Sequence, residues 1–354
     1  MAAYVPPRDS FELQVSVAAS AVLSMSDLGI RDDLTELGMT LGEASRLATE
    51  LQQLLGRRAH AEEIIRCRTV EAIACMYRQA AKTGAWSSLV ALRPGSPKLP
   101  LVCVHPLGGN VFWYLDLARR LAAGQAVYGL HSRGLDLTEP VQIAITEMAT
   151  SYVADIRRTL PEGPYALLGW SFGGIVAFEM ARQLSADAET TPVLAMCDVG
   201  PDDISVIPAT NDAAFGLLIH AVRLDDDAAE LIALEPGKRL GELHRRALHY
   251  GRVPPDYTVA HLDRMLGINY AHLAALHAYE FGAYNGDLIV FRADESGPQS
   301  ANHVARSENL GWEAFVNGNI RLYATTGSHF DSLNRTNLDT VARHLTSELE
   351  SAVV

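Results

Sequence analysis

A short apolar segment that ends in a glycine-flanked serine constrains the fold of this 354-residue chain more than any other feature. Residues 165–169 read as a buried strand, and residues 175–184 carry apolar side chains at helical spacing. The turn between them, GWSFG at 169–173, must be sharp, with its serine in a strained conformation that exposes the hydroxyl above the sheet. Ser171 is therefore a candidate nucleophile, although the five-residue pattern alone would favour an ordinary serine in a glycine-rich turn.

The chain around this turn alternates strands and helices, which predicts a mostly parallel α/β sheet. Strands are predicted at 89–92, 101–104, 126–130, 165–169, 193–198, 288–291 and 320–324, and helices at about 111–121, 143–160, 172–184 and 335–349. A serine turn after a central strand predicts an α/β-hydrolase. Helical patterns at 213–222, 240–250 and 259–281 predict a helical lid over about 200–285, with helices packed on the sheet edge as the alternative.

The N-terminal part of the chain, residues 1–82, is predicted to be a small all-helical bundle. Four short helices are expected: three at 10–24, 41–55 and 70–79, and a short helical turn near 61–65. Residues 83–99 are rich in glycine, proline and serine and are predicted to be a linker that contains the first edge strand. Residues 100–354 then form the hydrolase domain.

An activated serine needs a base, and the base needs an acid that orients it. In this fold the chain order is serine, acid, histidine, which favours His329 because it follows the last predicted strand. His303 precedes that strand, and His344 lies inside the final helix. Asp198 and Asp294 each end a predicted strand, so the residues alone leave both open as the acid.

The loop HPLGGN at 105–110 is a candidate for stabilising a negative charge on the substrate. Its glycines leave backbone N–H groups uncovered, and the Leu107 N–H could pair with the Phe172 N–H as an oxyanion hole. An ordinary pair of loop glycines is the alternative. His105 is interpreted as a positional residue of this loop rather than as the base.

Residues from about 84 to 354 resemble the type I thioesterase domains that terminate nonribosomal peptide and polyketide synthase lines. The matching segments include VHPxGGN at 104–110, LGWSFGG at 168–174, FEMA at 178–181 and GxHF at 327–330. The resemblance implies Ser171 as nucleophile, His329 as base and Asp198, in preference to Asp294, as acid. It also implies the oxyanion donors Leu107 N–H and Phe172 N–H, and a lid that shapes the acyl pocket.

The N-terminal segment resembles a peptidyl or acyl carrier domain of the same synthetases. The matching letters are YVxPR at 4–8, GIxDD at 29–33, ELG at 36–38, and Ala44, Arg46 and Leu47. In the family a serine that carries phosphopantetheine begins the second helix, and Leu41 occupies that position here. A one-residue gap would place Thr40 there instead, with a poorer match downstream. We therefore expect a carrier-like bundle without its cofactor site, with an unrelated helical bundle as the alternative.

Composition excludes several classes of partner and site. A net charge of −13 argues against nucleic acid and anionic membranes as partners, because both require basic patches. No apolar run reaches membrane length and no signal peptide is evident, so a cytoplasmic location is expected. The four cysteines show no metal or disulfide spacing, and His272 and His277 are five residues apart and on different helix faces, so no metal is expected.

The sequence therefore predicts a thioesterase or acyltransferase that releases a carrier-bound acyl or peptidyl chain by hydrolysis, cyclisation or transfer. Because Leu41 cannot hold a phosphopantetheine arm and no other module is seen, substrate is expected from a separate carrier protein or synthetase module. No covalently bound cofactor is expected on this chain. The alternatives are an editing thioesterase that clears misloaded carriers and a non-catalytic docking protein.

Overall fold

The computed structural model describes residues 4–25, 28–55, 58–80, 88–93, 95–135, 139–204, 207–208, 210–294 and 306–353. Its first part is a bundle of four helices with an apolar core of its own. The helices are α1 (Ser10–Leu23), α2 (Leu41–Leu55), α3 (Ala61–Cys67) and α4 (Val70–Ala80). Asp9 begins α1 by accepting a 2.7 Å hydrogen bond from the Glu12 N–H. The short turn expected near 61–65 is α3, which His60 and Glu63 cap as a helix, so the four predicted helices are present.

The two positions that align with the phosphopantetheine serine of carrier domains, Leu41 and Thr40, lie at the start of α2. Leu41 is the first residue of the helix and is 56% exposed. The Thr40 hydroxyl and N–H both donate to the Glu43 carboxylate, at 2.8 and 2.7 Å, and so cap the helix. This position therefore presents an alkyl side chain to solvent, and the alternative residue Thr40 uses its hydroxyl as a cap.

The second part of the chain is built on one sheet of seven strands in the order β1-β3-β2-β4-β5-β6-β7. The strands are β1 (Leu89–Arg93), β2 (Ser96–Val104), β3 (Gln125–Leu130), β4 (Ala166–Trp170), β5 (Leu194–Cys197), β6 (Leu288–Ala293) and β7 (Ile320–Thr325). β1 pairs antiparallel with β3, and every other pair is parallel. The mostly parallel α/β sheet is thus confirmed, and the carboxyl ends of β2 to β7 lie along one edge.

Helices cover both faces of this sheet. The helices of this second part are, in chain order, α5 (Leu115–Arg120), α6 (Ile145–Thr159), α7 (Phe172–Ala186), α8 (Pro201–Ile204), α9 (Asn211–Ala221), α10 (Ala228–Ala233), α11 (Pro236–His249), α12 (Val259–Ala278) and α13 (Arg335–Ser351). Those that cover the two faces are α6 and α7 on one side and α5 and α13 on the other. Successive strand residues point to opposite faces, so Val102 and Val104 pack with α6 and α7, whereas Leu101 and Cys103 pack with α5 and α13. Within the described ranges, every helix is too short or too polar to cross a bilayer.

The lid predicted between β5 and β6 is present as helices α8 to α12. Side chains from α9 to α12 share an apolar core that is separate from the two cores of the sheet. The patterns at 213–222, 240–250 and 259–281 correspond to α9, α11 and α12. The lid therefore has a packed core of its own, and it also packs on the sheet, because Ala214 of α9 and Leu273 and Leu276 of α12 belong to the core beneath α6 and α7.

Arg78 of α4 joins the N-terminal bundle to the lid. Its guanidinium pairs with Asp256 through two hydrogen bonds of 2.8 and 2.7 Å, and also contacts Asp9 at the start of α1. Arg8 adds a 3.2 Å bond from its guanidinium to the Val253 carbonyl, next to Asp256 in the lid. The Arg78 side chain is 9% exposed, so these contacts hold the two parts together through a nearly buried charge.

Replacing Arg78 is expected to destabilise the protein strongly. Arg78→Met leaves the Asp9 and Asp256 carboxylates without their cation, and breaking one side of a buried ion pair costs about 3–5 kcal/mol. The measurement is the urea midpoint of unfolding for the whole chain. Arg46→Met is the control because Arg46 is exposed and 3.8 Å from Glu43, so about 0.5 kcal/mol or less is expected. Equal losses of stability in Arg78→Met and Arg46→Met would contradict the proposal that Arg78 stabilises the contact between the bundle and the lid.

Candidate active site

Ser171 occupies the sharp turn that the sequence predicts between β4 and α7. Its backbone has φ 55° and ψ −131°, a region that residues with a Cβ rarely adopt. The Ser171 N–H donates a 3.2 Å hydrogen bond to the Cys197 carbonyl, which ties the turn to the end of β5. The strain expected from the sequence is therefore confirmed, and the neighbouring strand holds it in place.

The glycines on either side of Ser171 are required by close packing. A Cβ on Gly169 would overlap the Gly173 carbonyl, and a Cβ on Gly173 would overlap the Val104 carbonyl. Both obstacles are backbone atoms, which cannot move aside without displacing a strand or the first turn of α7. This confirms the explanation that these positions lack side chains so that β4, α7 and β2 can approach closely.

His329 and Asp198 meet at the carboxyl edge of the sheet. Asp198 follows β5, and His329 begins a short 3₁₀ turn, His329–Asp331, after β7. His329 Nδ1 lies 3.0 Å from Asp198 Oδ2 and 2.9 Å from the Asp198 carbonyl oxygen. Both of these atoms are acceptors, so Nδ1 carries the proton and Nε2 keeps its lone pair. His329 is thus in the tautomer that can accept a proton from a nucleophile.

Trp170 connects this pair to the serine turn. Trp170 directly precedes Ser171, and its indole Nε1–H donates a 3.3 Å hydrogen bond to the His329 carbonyl. The Trp170 and His329 rings lie 5.8 Å apart between centroids. Ser171, Asp198 and His329 therefore follow three parallel strands at one edge of the sheet, where the sequence places them.

Asp198 is buried and held as a carboxylate. Its Oδ1 accepts hydrogen bonds from the Ala293 N–H at 3.0 Å and from Arg306 at 3.1 Å. Burial raises the pKa of Asp198. The hydrogen bond from His329, the positive charge that this imidazole carries when it is protonated, and the charge of Arg306 together outweigh that effect, so the pKa of Asp198 lies below its ordinary value. The backbone at Asp198 has φ 47°, so this residue too is in a left-handed conformation. A charged acceptor is thereby fixed beside His329 Nδ1.

Asp294, the other candidate acid, lies elsewhere. It is exposed, and its Oδ1 accepts a 2.9 Å hydrogen bond from the Gly327 N–H, in the loop that leads to His329. The two carboxylates therefore have different partners. Asp198 contacts the imidazole itself, whereas Asp294 contacts the backbone of the preceding loop.

The two backbone donors expected to form an oxyanion hole lie on neighbouring elements. Phe172 is the first residue of α7, where helix geometry leaves the N–H without an intrahelical acceptor. The Pro106 carbonyl accepts hydrogen bonds from the Gly109 N–H at 2.9 Å and from His105 Nδ1 at 2.8 Å. The Pro106 carbonyl and the Leu107 N–H belong to the same planar peptide and point in opposite directions. The bonds to the carbonyl therefore also fix the direction of the Leu107 N–H.

His105 is fully buried beneath this loop. Its Nε2 lies 2.7 Å from the Tyr152 hydroxyl, while Nδ1 donates to the Pro106 carbonyl. Burial lowers the pKa of His105 to about 4, against the smaller opposing effect of the bond to Pro106, so the ring is neutral near pH 7. Both bonds fit the positional role that the sequence predicts for His105.

Sequence reasoning missed the supporting role of two side chains, Arg306 and His272. Arg306 lies in the connection between β6 and β7 and pairs with Asp198, and no local pattern marks such a residue. His272 lies on α12 and contacts the Leu107 carbonyl, and the available signal was a histidine among the apolar residues of a predicted lid helix. Among the residues that the structure describes, no cluster of three or more histidine, cysteine or acidic side chains could hold a metal.

Comparison with protein-family models matches residues 99–349 to the thioesterase domain. This chain belongs to the thioesterase family. The matched range contains the whole seven-stranded sheet apart from β1 and the first residues of β2, together with the lid and the elements that carry Ser171, Asp198 and His329. The resemblance noted from the sequence motifs is thereby confirmed at the level of the family.

Curated relatives of this thioesterase include nonribosomal peptide synthetases. The chain is 27% identical over 350 residues to malpibaldin synthetase of Mortierella alpina, with 98% of the chain and 6% of that protein covered. It is 28% identical to a dimodular nonribosomal peptide synthase of Bacillus subtilis (strain 168), with 93% of the chain and 14% of that protein covered. The chain therefore spans a small part of the length of these relatives.

Solved structures extend this similarity to the N-terminal helices. A four-domain nonribosomal peptide synthetase, holo-AB3403 bound to AMP and glycine, superposes with a TM-score of 0.88 and 26% identity. That match covers 98% of this chain and 26% of the other. The Vlm2 thioesterase domain, at 24% identity and a TM-score of 0.54, covers 73% of this chain and 96% of its own, and shows the fold alone. The predicted α/β-hydrolase fold with a lid and N-terminal helices is thus confirmed.

Proposed function

We propose that this thioesterase releases an acyl or peptidyl chain from a carrier-bound pantetheine thioester through an ester on Ser171. The observation that carries the proposal is the pairing of His329 Nδ1 with the buried Asp198, at the sheet edge where the strained Ser171 turn also lies. The family match supports a thioester as the bond that is cleaved. The synthetase relatives support secondary-metabolite assembly as the setting.

In the first step His329 Nε2 takes the Ser171 hydroxyl proton while Oγ attacks the thioester carbonyl carbon. The negative charge that develops on the carbonyl oxygen is received by the Leu107 and Phe172 N–H groups. The carbon–sulfur bond then breaks, and the departing pantetheine sulfur takes the proton from His329. Asp198, held ionised by Arg306, stabilises the imidazolium during this exchange.

In the second step a new nucleophile attacks the Ser171 ester, and His329 takes its proton. Water gives a free acid, an amine or hydroxyl of the same chain gives a macrocycle, and an external acceptor gives a new ester or amide. The proton returns to Ser171 Oγ as the ester bond breaks. The lid helices, packed around their own core, shape the space in which these nucleophiles compete.

We further propose that the substrate arrives on a separate carrier protein, and that the N-terminal helices, residues 1–82, serve as a carrier-like support. Leu41 lacks a hydroxyl, and the Thr40 hydroxyl is used in capping α2. Incubation with coenzyme A and a phosphopantetheinyl transferase is expected to leave the mass of the protein unchanged. A gain of one phosphopantetheine arm on the helical bundle would overturn this part of the proposal.

The proposed chemistry is tested by trapping the acyl-enzyme. The protein is mixed with a holo carrier protein loaded with a short acyl chain or with a peptidyl chain, then quenched and measured by intact-protein and peptide mass spectrometry. We expect the acyl mass on the peptide that contains Ser171. Ser171→Ala should show none, while Ser185→Ala, an exposed serine at the end of α7, should label like the parent protein.

The same experiment separates the alternatives. Preference for a long peptidyl chain supports chain release, whereas broad and slow hydrolysis of short acyl groups would indicate an editing thioesterase. Loaded carrier that stays intact for every acyl group, with no mass gain on Ser171, would contradict a catalytic function and favour a docking protein.

A further inference from the structure

His272 of the lid contacts the backbone of the loop that follows β2. Its Nδ1 lies 2.6 Å from the Leu107 carbonyl oxygen, and its Nε2 lies 3.1 Å from the Ser132 hydroxyl. The Leu107 carbonyl can only accept, so His272 Nδ1 carries the proton. Nε2 is then an acceptor and shares the Ser132 hydroxyl hydrogen with the Arg133 carbonyl, which lies 3.2 Å from the same hydroxyl. The side chain is fully buried. One buried lid residue therefore fixes the carbonyl of the residue whose N–H is the proposed oxyanion donor.

The same imidazole packs on the second proposed donor. The His272 and Phe172 rings are stacked with centroids 4.6 Å apart and an interplanar angle of 10°. On the loop side, His105 lies 5.0 Å from His272 at 17°. Phe172 supplies its N–H from the first turn of α7, so the ring contact holds the residue that carries this N–H.

Both peptides that flank the Leu107 Cα are held by histidines. His105 Nδ1 donates to the Pro106 carbonyl, which belongs to the peptide before Leu107. His272 Nδ1 donates to the Leu107 carbonyl, which belongs to the peptide after it. Rotating the Leu107 N–H away from its present direction would break the first bond, and tilting the residue would break the second. A hydrogen bond left unmade in so buried a place costs about 1–3 kcal/mol, which keeps the loop in one conformation.

We infer that His272 is a positioning residue that sets both oxyanion donors, Leu107 N–H and Phe172 N–H, and couples their placement to lid helix α12. The inference rests on the proposed function, because it assigns a role in the same acyl transfer. His272 contacts the two donor residues and not the reacting atoms. Its effect should therefore appear in kcat, where the transition-state charge is stabilised, and not in substrate affinity.

The test compares two amides at position 272. In His272→Asn the amide nitrogen can take the place of Nδ1 and keep the bond to the Leu107 carbonyl. In His272→Gln the amide reaches the place of Nε2 instead. Both variants lose the ring, so the difference between them isolates the Nδ1 bond. Steady-state kinetics with hexanoyl-pantetheine thioester and the melting temperature are measured for each.

We expect His272→Gln to lose about 30- to 300-fold in kcat, approaching the effect of losing one oxyanion donor, with KM within about threefold. His272→Asn should retain at least about tenfold more kcat than the Gln variant. Equal kcat values in the two variants, or a loss confined to KM, would overturn the inference. If the Gln variant does not fold, His272→Phe is measured instead, because it keeps a ring without the donor. A kcat for His272→Phe within about threefold of the parent value would also overturn the inference.

A matched control lies elsewhere in the lid. His244 of α11 also bonds a backbone carbonyl, with Nε2 2.9 Å from the Tyr257 oxygen. His244→Phe removes that contact and should lower the melting temperature while leaving kcat within about threefold. Failure of the proposed function is distinguishable, because the parent protein itself would then not hydrolyse the thioester. If only the inference about His272 is wrong, the parent protein is active and the His272→Asn and His272→Gln variants have equal kcat.

Discussion

Asp198→Asn is expected to lower kcat for thioester cleavage by about 10³- to 10⁴-fold. The Asn amide would present a donor or a neutral acceptor where Asp198 now presents a charged oxygen to His329 Nδ1. The imidazole would then lose the fixed Nδ1–H tautomer, and the imidazolium formed in the first step would lose its stabilising charge. The measurement is kcat at saturating hexanoyl-pantetheine thioester, with the acyl-enzyme signal on Ser171 as a second readout.

Asp294→Asn is the matched control for this substitution. Asp294 also follows a parallel strand, but it is exposed and bonds the Gly327 N–H, which an Asn side-chain oxygen can still do. Its kcat should stay within about threefold of the parent value. A larger loss at Asp294 than at Asp198 would refute the assignment of the acid, whichever variant is the less stable.

The fold was largely predictable because its strongest signals are local. Buried parallel strands such as β4 read as short apolar runs, and the glycines around Ser171 mark a turn that few other structures require. The limits of the prediction are also local. The length of α3 was underestimated, as a short turn near 61–65, because seven residues carry too little periodicity to define a helix. Helices α8 and α10 of the lid were missed for the same reason.

The site was predictable where chain order and strand ends determine it, and unpredictable where distant elements meet. Ser171 and His329 each follow a strand, so the parallel sheet alone brings them to one edge. Asp198 and Asp294 satisfy that rule equally, and three-dimensional contact separates them. His272 lies on a helix 165 residues after Leu107, and no spacing in the sequence predicts that their atoms are 2.6 Å apart.

The protein is expected to lose stability steeply as the pH falls below about 6. Burial lowers the pKa of His105 to about 4, that of His131 to about 3 and that of His272 well below its ordinary value. In the unfolded chain these histidines bind protons below about pH 6.5, whereas in the folded protein they stay neutral. Their contribution to the free energy of unfolding is therefore complete above about pH 6.5 and is lost as the pH falls. Glu12 opposes them, because burial raises its pKa to about 7 and the folded state binds that proton first.

Unfolding takes up protons at His105, His131 and His272, and also at His261, whose pKa burial lowers. It releases protons from Glu12 and from Asp203, whose pKa burial raises, so the net uptake is about two. The free energy of unfolding should therefore fall by about 3 kcal/mol per pH unit between about pH 6 and 5, measured by urea denaturation at each pH. His105→Asn keeps an amide near the Pro106 carbonyl but removes one titrating group, so the slope should fall by about 1.4 kcal/mol per pH unit. The exposed His249 at the end of α11 is the control, and His249→Asn should leave the slope unchanged. A parent slope near zero, or equal slopes in the parent and His105→Asn, would show that the buried imidazoles do not stay neutral.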